Sequence, residues 1–126
     1  MMLKLLVVDD EADICDFVRK FFKERHFNVF VAYNGEEALR IIEKERPKIL
    51  LLDMKMPVMN GMETLKAIRA RGDDIQVIMI TAINDIASAQ EAKKCGATEY
   101  ITKPLVLEQL EKTVLTIAKQ LKVKVR

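Results

Sequence analysis

The chain is poor in the side chains that build thiolate metal centres and disulfide frameworks. Among its 126 residues are two cysteines and one histidine. A structural zinc site takes four such ligands, so these three fall short. Cys15 and Cys95 stand in separate helical segments and form no Cys-x-x-Cys pair, which reads as two reduced thiols of a cytosolic, cytoplasmic protein. Charge of one sign is also missing. Lys and Arg number 21 against 19 Asp and Glu, a formal net charge of +2, so no global field draws nucleic acid or an anionic membrane. No apolar run approaches the roughly 20 residues that span a bilayer. Met1–Val8 runs straight into Asp9-Asp10 and not into a cleavable signal segment. No repeat, low-complexity tract or linker interrupts the sequence. The length suits one domain over residues 1–126, with enough apolar residues to bury a core.

Within this plain background one stretch stands out. Ile49-Leu50-Leu51-Leu52-Asp53 lies between Pro47 and Pro57. Its unbroken apolar run is too short for an ordinary helix and reads as a strand buried on both faces of a parallel sheet. Such a strand carries Asp53 to its C-terminal end, the edge where open parallel sheets bind ligands. Asp is also common in strand-to-loop turns, so Asp53 alone leaves both readings open.

The flanking segments alternate in type. Lys4–Asp9 is a second apolar strand ending in carboxylates. Ala12–Arg25 has helical spacing, with Ile14, Phe17, Val18 and Phe21 as its apolar face and charges that run from acidic to basic along the helix dipole. His26 reads as a left-handed helix-ending residue and not as a catalytic one. Asn28–Ala32 is a strand. Asn34 and Glu37 mark the start of a helix with Ala38, Leu39, Ile41 and Ile42 as its apolar positions, which ends before Pro47. Met54–Gly61 is a loop broken by Pro57 and Asn60-Gly61, Met62–Ala70 a helix and Arg71–Asp74 a turn. Gln76–Ile80 is a strand ending at Thr81, Asp85–Cys95 an Ala-rich helix closed by Gly96, and Glu99–Thr102 a strand ending at Lys103-Pro104. A last helix runs from Leu107 to Lys122. Five β-α units of this kind imply a parallel sheet covered on both faces.

The polar residues at the strand ends are chemically coherent. Strand 1 ends at Asp9-Asp10, strand 3 at Asp53, strand 4 at Thr81 and strand 5 at Lys103, and in a parallel sheet these ends share one edge. Clustered carboxylates repel unless a cation intervenes, and Mg²⁺ favours carboxylate oxygens. A carboxylate is also a nucleophile toward phosphorus. A hydroxyl and an ammonium suit the phosphoryl oxygens. Taken singly, each residue is an ordinary strand ending; together they make a site.

The motifs LLVVDDE (Leu5–Glu11), ILLLDMKMPVMNG (Ile49–Gly61), IMITA (Ile78–Ala82) and GATEYITKP (Gly96–Pro104) give the whole chain a resemblance to the receiver domains of bacterial two-component response regulators, of the chemotaxis-receiver kind. The resemblance implies a flavodoxin-like, doubly wound, five-stranded parallel α/β sheet of order 2-1-3-4-5 with five helices. It implies that Asp53 is the phosphoacceptor and that Mg²⁺ is held by Asp9, Asp10, Asp53 and the carbonyl of Lys55. Thr81 and Lys103 match the phosphoryl contacts, Thr81 and Tyr100 the switch pair, and Ala82 a small residue that leaves the phosphoryl group accessible. The Lys103–Pro104 bond is expected to be cis. Two features depart from the commonest pattern: Lys55 sets a cationic side chain beside the acceptor, and Leu105 stands where Phe is more usual.

The function implied is a phosphorylation-controlled switch, not a conventional enzyme. It takes a phosphoryl group from a sensor histidine kinase, loses it slowly by self-hydrolysis and engages an effector protein or output domain. Binding of a second copy is expected through the helix Asp85–Cys95, the strand Glu99–Thr102 and the last helix. A degenerate receiver acting as a constitutive binding module is opposed by the complete set of site residues. An aspartyl phosphatase would place Asp-x-Asp after strand 1, where this chain has Asp9-Asp10-Glu11. A flavodoxin-like cofactor binder would want a hydroxyl- and Gly-rich loop there, and Asp9-Asp10 repels a phosphate. The last helix is expected to bury Leu107, Leu110, Val114 and Ile117 against the sheet. Its basic tail, Lys112, Lys119, Lys122, Lys124 and Arg126, has no aromatic or groove-reading partner and implies no nucleic-acid binding by this domain alone.

Overall fold

The computed structural model describes residues 2–82 and 84–124, with side chains to residue 122. The side chains of Lys124 and Arg126 in the basic tail therefore lie outside the described residues. Strands β1 (Lys4–Val8), β2 (Asn28–Ala32), β3 (Ile49–Asp53), β4 (Gln76–Ala82) and β5 (Glu99–Lys103) alternate with helices α1 (Ala12–Lys23), α2 (Gly35–Glu45), α3 (Gly61–Ala70), α4 (Ile86–Lys94) and α5 (Leu107–Lys124). All pairings are parallel, and the order is β2-β1-β3-β4-β5. This is the flavodoxin-like arrangement expected from the sequence. Among the described residues, no helix is long and apolar enough to cross a membrane.

The period-two alternation of the strands divides the core in two. Leu6, Val8, Leu50, Leu52, Val77 and Met79 face α2, α3 and α4. Leu5, Val7, Ile49, Leu51, Ile78 and Ile80 face α1 and α5. Central β3 is covered on both sides, and all five of its residues are buried. Each such aliphatic side chain contributes roughly 1.5–3 kcal/mol, so the strand bearing Asp53 is firmly held.

Several local expectations hold. Asn34 Oδ1 accepts from the Glu37 amide at 2.9 Å and starts α2. His26 has φ 68°, and the Lys103–Pro104 peptide is cis. Others need correction. The buried face of α1 is Cys15, Val18 and Phe22, whereas Phe17 is 57% exposed. The thiol behaves as a small apolar group, which turns the helix by one position and leaves Ile14 and Phe21 at the margin. In α5, Leu110, Val114, Ile117 and Ala118 are buried, while Leu107 in the first turn is only half-buried. Helix α3 begins one residue early, at Gly61, because Asn60 and Glu63 form a reciprocal capping box. Strand β4 extends through Thr81 to Ala82, where it pairs with Thr102 and Lys103.

Candidate functional site

The strand register places the site. Val8 is level with Leu52, so the next residues out, Asp9 and Asp53, emerge side by side at the C-terminal edge. Ile80 is level with Asp53, which sets Thr81 one step further out on β4. Lys103 is level with Ala82 on β5 and reaches back, its Nζ 3.3 Å from Asp53 Oδ1 and 4.0 Å from Asp9 Oδ2. Asp9, Asp53 and Thr81 are buried, and Asp10 is exposed at the rim. Ligand oxygens of Asp9, Asp10 and Asp53 all lie within 4.8 Å of one another.

These carboxylates are held under tension. Burial pushes the Asp9 carboxyl up to about 6; the Glu11 amide pulls it down, and the Asp53 charge adds to the rise. Burial also raises Asp53 above the usual carboxylate range, opposed by the Lys103 charge and the Lys55 amide. Burial alone would lower Lys103, but Asp53 and Asp9 outweigh it and hold the ammonium above its ordinary value. Two buried side-chain oxygens, Asp9 Oδ2 and Thr81 Oγ1, have no hydrogen-bond partner among the described residues. Each such orphan costs about 1–3 kcal/mol. The arrangement therefore fits a small hard cation with oxygen ligands: three converging carboxylates, one with an oxygen that accepts no hydrogen bond. Asp9, Asp10 and Asp53 could hold it.

The remaining expected residues lie around this centre. Lys55 is exposed and shares with Asp10 and Asn60 a cleft of about 550 Å³ that Asp85, Ser88 and Glu91 line from the α4 side. Tyr100, level with Met79 and 37% exposed, stands on the outer edge strand away from the acidic cluster. Ala82 is half-buried beside Thr81.

Three supporting residues escape a reading of the sequence alone. The Glu11 amide donates to Asp9 Oδ1 at 2.9 Å, and the Cys15 thiol donates to the Asp9 carbonyl at 3.2 Å. Burial pushes that thiol up to about 12, with the Asp9 charge adding to the rise, so Cys15 stays protonated. Gly61 packs so tightly that an added Cβ would lie 2.3 Å from the Asp53 carbonyl oxygen. Asn60-x-x-Glu63 is the legible signal for the rigid helix start there; the Gly61 contact leaves no trace in sequence.

Comparison with known proteins bears on the family and the fold. The family model described as the response regulator receiver domain matches residues 5–115. Sporulation initiation phosphotransferase F of Bacillus subtilis (strain 168) is 38% identical over 111 residues, covering 88% of this chain and 90% of that protein. Response regulator MprA of Mycobacterium ulcerans (strain Agy99) is 34% identical over 110 residues, covering 87% of this chain, which spans 47% of that longer protein. The solved structure of the Francisella response regulator 1452 receiver domain matches with a TM-score of 0.88 at 30% identity, covering 94% of this chain and 98% of that one.

Proposed function

This chain belongs to the response regulator receiver family, and from that premise we propose that residues 1–126 form one receiver domain that accepts a phosphoryl group on Asp53. Receivers of this family are regulatory domains that work with histidine kinases and output domains. The donor in this reading is the phosphohistidine of a sensor kinase, the place of action the cytoplasm, and the recipient of the signal an effector protein, an output domain or a second copy of the chain. Neither a constitutive binding module nor a phosphatase is supported by the comparisons. The observation that carries the reading is the buried Asp53 carboxylate, 3.3 Å from Lys103 Nζ and grouped with Asp9 and Asp10.

The residues divide the work. An Asp53 carboxylate oxygen forms the new P–O bond as the donor's P–N bond breaks, and the donor imidazole takes a proton from solvent. Asp9, Asp10, Asp53 and the Lys55 carbonyl would hold Mg²⁺, which supplies positive charge to offset the carboxylates and the transferring phosphoryl group. The Lys103 ammonium, already beside Asp53, pairs with a phosphoryl oxygen. The unpartnered Thr81 hydroxyl gains an acceptor when that group arrives. Its movement frees space for the Tyr100 ring, shifting the population of two surface states. The same Asp53 machinery accelerates both acquisition and slow hydrolysis of the phosphoryl group. No nucleic acid is engaged by this domain alone.

Incubation with acetyl phosphate and Mg²⁺, followed by mass spectrometry, tests the assignment. One phosphoryl group is expected on Asp53, none on Asp53→Asn, and little on Asp10→Asn or in the presence of a chelator. Labelling of Asp53→Asn equal to wild type, or labelling indifferent to chelation, would sink the reading.

A further inference from the structure

At the end of the sheet opposite the acidic cluster, one side chain joins three parts of the fold. Arg69, in the last turn of α3, donates from Nε and Nη2 to the Gly96 carbonyl at 3.1 and 2.8 Å. It also donates to the Asp73 carbonyl at 2.7 Å and to the Ile75 carbonyl at 2.8 Å. All the acceptors are backbone oxygens, so the guanidinium acts as a fork-shaped brace between α3, the start of β4 and the turn between α4 and β5. Gly96 has φ 104°, and a Cβ built there would lie 2.9 Å from Arg69 Nε. Glycine thus serves both the turn and the seat of the guanidinium. Thr98 adds a second bolt. Its amide donates to the Val77 carbonyl at 2.8 Å, and its hydroxyl accepts from the Val77 amide at 3.1 Å.

The other end of α4 is held lightly. Its cap is one long bond, 3.3 Å, from the Ser88 amide to Asp85 Oδ1. Ile86 is 57% exposed. The helix buries only Ala89 and Ala92, side chains too small to lock it by interdigitation. Yet this is the end next to the site: Asp85 and Ser88 line the cleft that Asp10 borders. A stiff rod fixed at one end and loose at the other converts a small push at the loose end into a tilt.

We propose that Arg69 makes the α4–β5 turn a fixed pivot, so that phosphorylation of Asp53 moves the N-terminal turns of α4 while its C-terminal end stays in place. The inference rests on the reading of Asp53 as phosphoacceptor. Arg69 is a positioning residue in this scheme; it touches no reacting atom and sets which part of the partner surface receives the signal.

Residue-resolved hydrogen exchange on the full chain, with and without Mg²⁺ and the phosphoryl analogue beryllofluoride, tests it. In the wild type the analogue is expected to change exchange at Ala89 and Gln90 by about tenfold while Gly96, Ala97 and Thr98 stay within about twofold. In Arg69→Gln the amides of 96–98 exchange about tenfold faster even without the analogue, and the analogue's effect spreads to them. Arg69→Lys, which keeps the charge but not the fork, falls between. Should Arg69→Gln fail to fold, Thr98→Val is expected to loosen the same turn amides. An even response along the whole of α4 in the wild type, or an unaltered pattern in folded Arg69→Gln or Thr98→Val, overturns the pivot. Acetyl phosphate labelling of the same samples separates the two ideas. Normal labelling with an even pattern removes the pivot alone, whereas absence of labelling in the wild type removes the phosphoacceptor reading and the pivot with it.

Discussion

Helices α3 and α4 lie on the same face of the sheet and are nearly equal in length, ten residues against nine, yet they are held by different means. Helix α3 starts in a capping box, buries Thr64, Leu65 and Ile68 and presses Gly61 onto the end of β3 at Asp53. Helix α4 starts from one long bond and buries two alanines. The loop after Asp53 is thus backed by a rigid element, and the surface near Thr81 by a pliant one. A site that must hold three carboxylates in register needs the first; a surface that must change on modification needs the second.

The largest test of this contrast is a pair of core substitutions. Leu65→Ala is expected to cost about 3 kcal/mol through lost burial and a cavity, whereas Ala92→Gly costs about 1 kcal/mol, mostly from helix propensity. Urea denaturation measures both; equal losses would erase the difference between the helices.

A smaller effect concerns charge on the firmly held side. The Asp9 carboxyl is raised to about 6 when folded, against about 3.9 when unfolded. Between those values the folded chain binds a proton that the unfolded chain has released, so stability falls as pH rises through this window and stays low above it. The metal-free protein is therefore expected to gain up to about 2 kcal/mol from pH 7 to pH 4 through this group. Asp9→Asn should lose that contribution. Urea midpoints across the range check the sign. Divalent-metal affinity should rise through the same window, because proton and metal compete for the oxygens.

The smallest effect concerns the lightly held side. Ile86, Tyr100 and Val106 are exposed on α4, β5 and the approach to α5, the face through which a second copy is proposed to bind. Sedimentation with and without beryllofluoride and Mg²⁺ is expected to show a modest mass increase only with the analogue. Identical masses at high concentration would leave this face to other partners.

The sequence is most informative where function depends on residue type at a strand end. Asp9, Asp53, Thr81 and Lys103 each follow or close an apolar run, and parallel pairing alone brings such ends to one edge. It is less informative about helix phase: with Cys15 counted outside the apolar set, the expected face of α1 is turned toward exposed Phe17. It is silent where contacts join distant segments. Neither the Arg69 fork across to Gly96 nor the Gly61 contact with Asp53 has a local pattern. Val58, a β-branched residue at φ 69° and 82% exposed, adopts a conformation that propensity argues against. The Met59 amide donates to the Pro57 carbonyl at 2.8 Å, the i→i+2 bond of a γ-turn that holds Val58 at its centre with positive φ.

The order β2-β1-β3-β4-β5 has a consequence for the chain during synthesis. Once residue 53 has emerged, both neighbours of β1 exist, and α1 and α2 are available to cover that half of the sheet. The far edge of β3 has no partner until β4 begins at Gln76, 23 residues beyond Asp53 (76 − 53). During that interval the Ile-Leu-Leu-Leu run that later anchors Asp53 is an open apolar edge, the kind of surface that invites pairing with another chain. The strand best protected in the finished molecule is thus the one most exposed while it is being made.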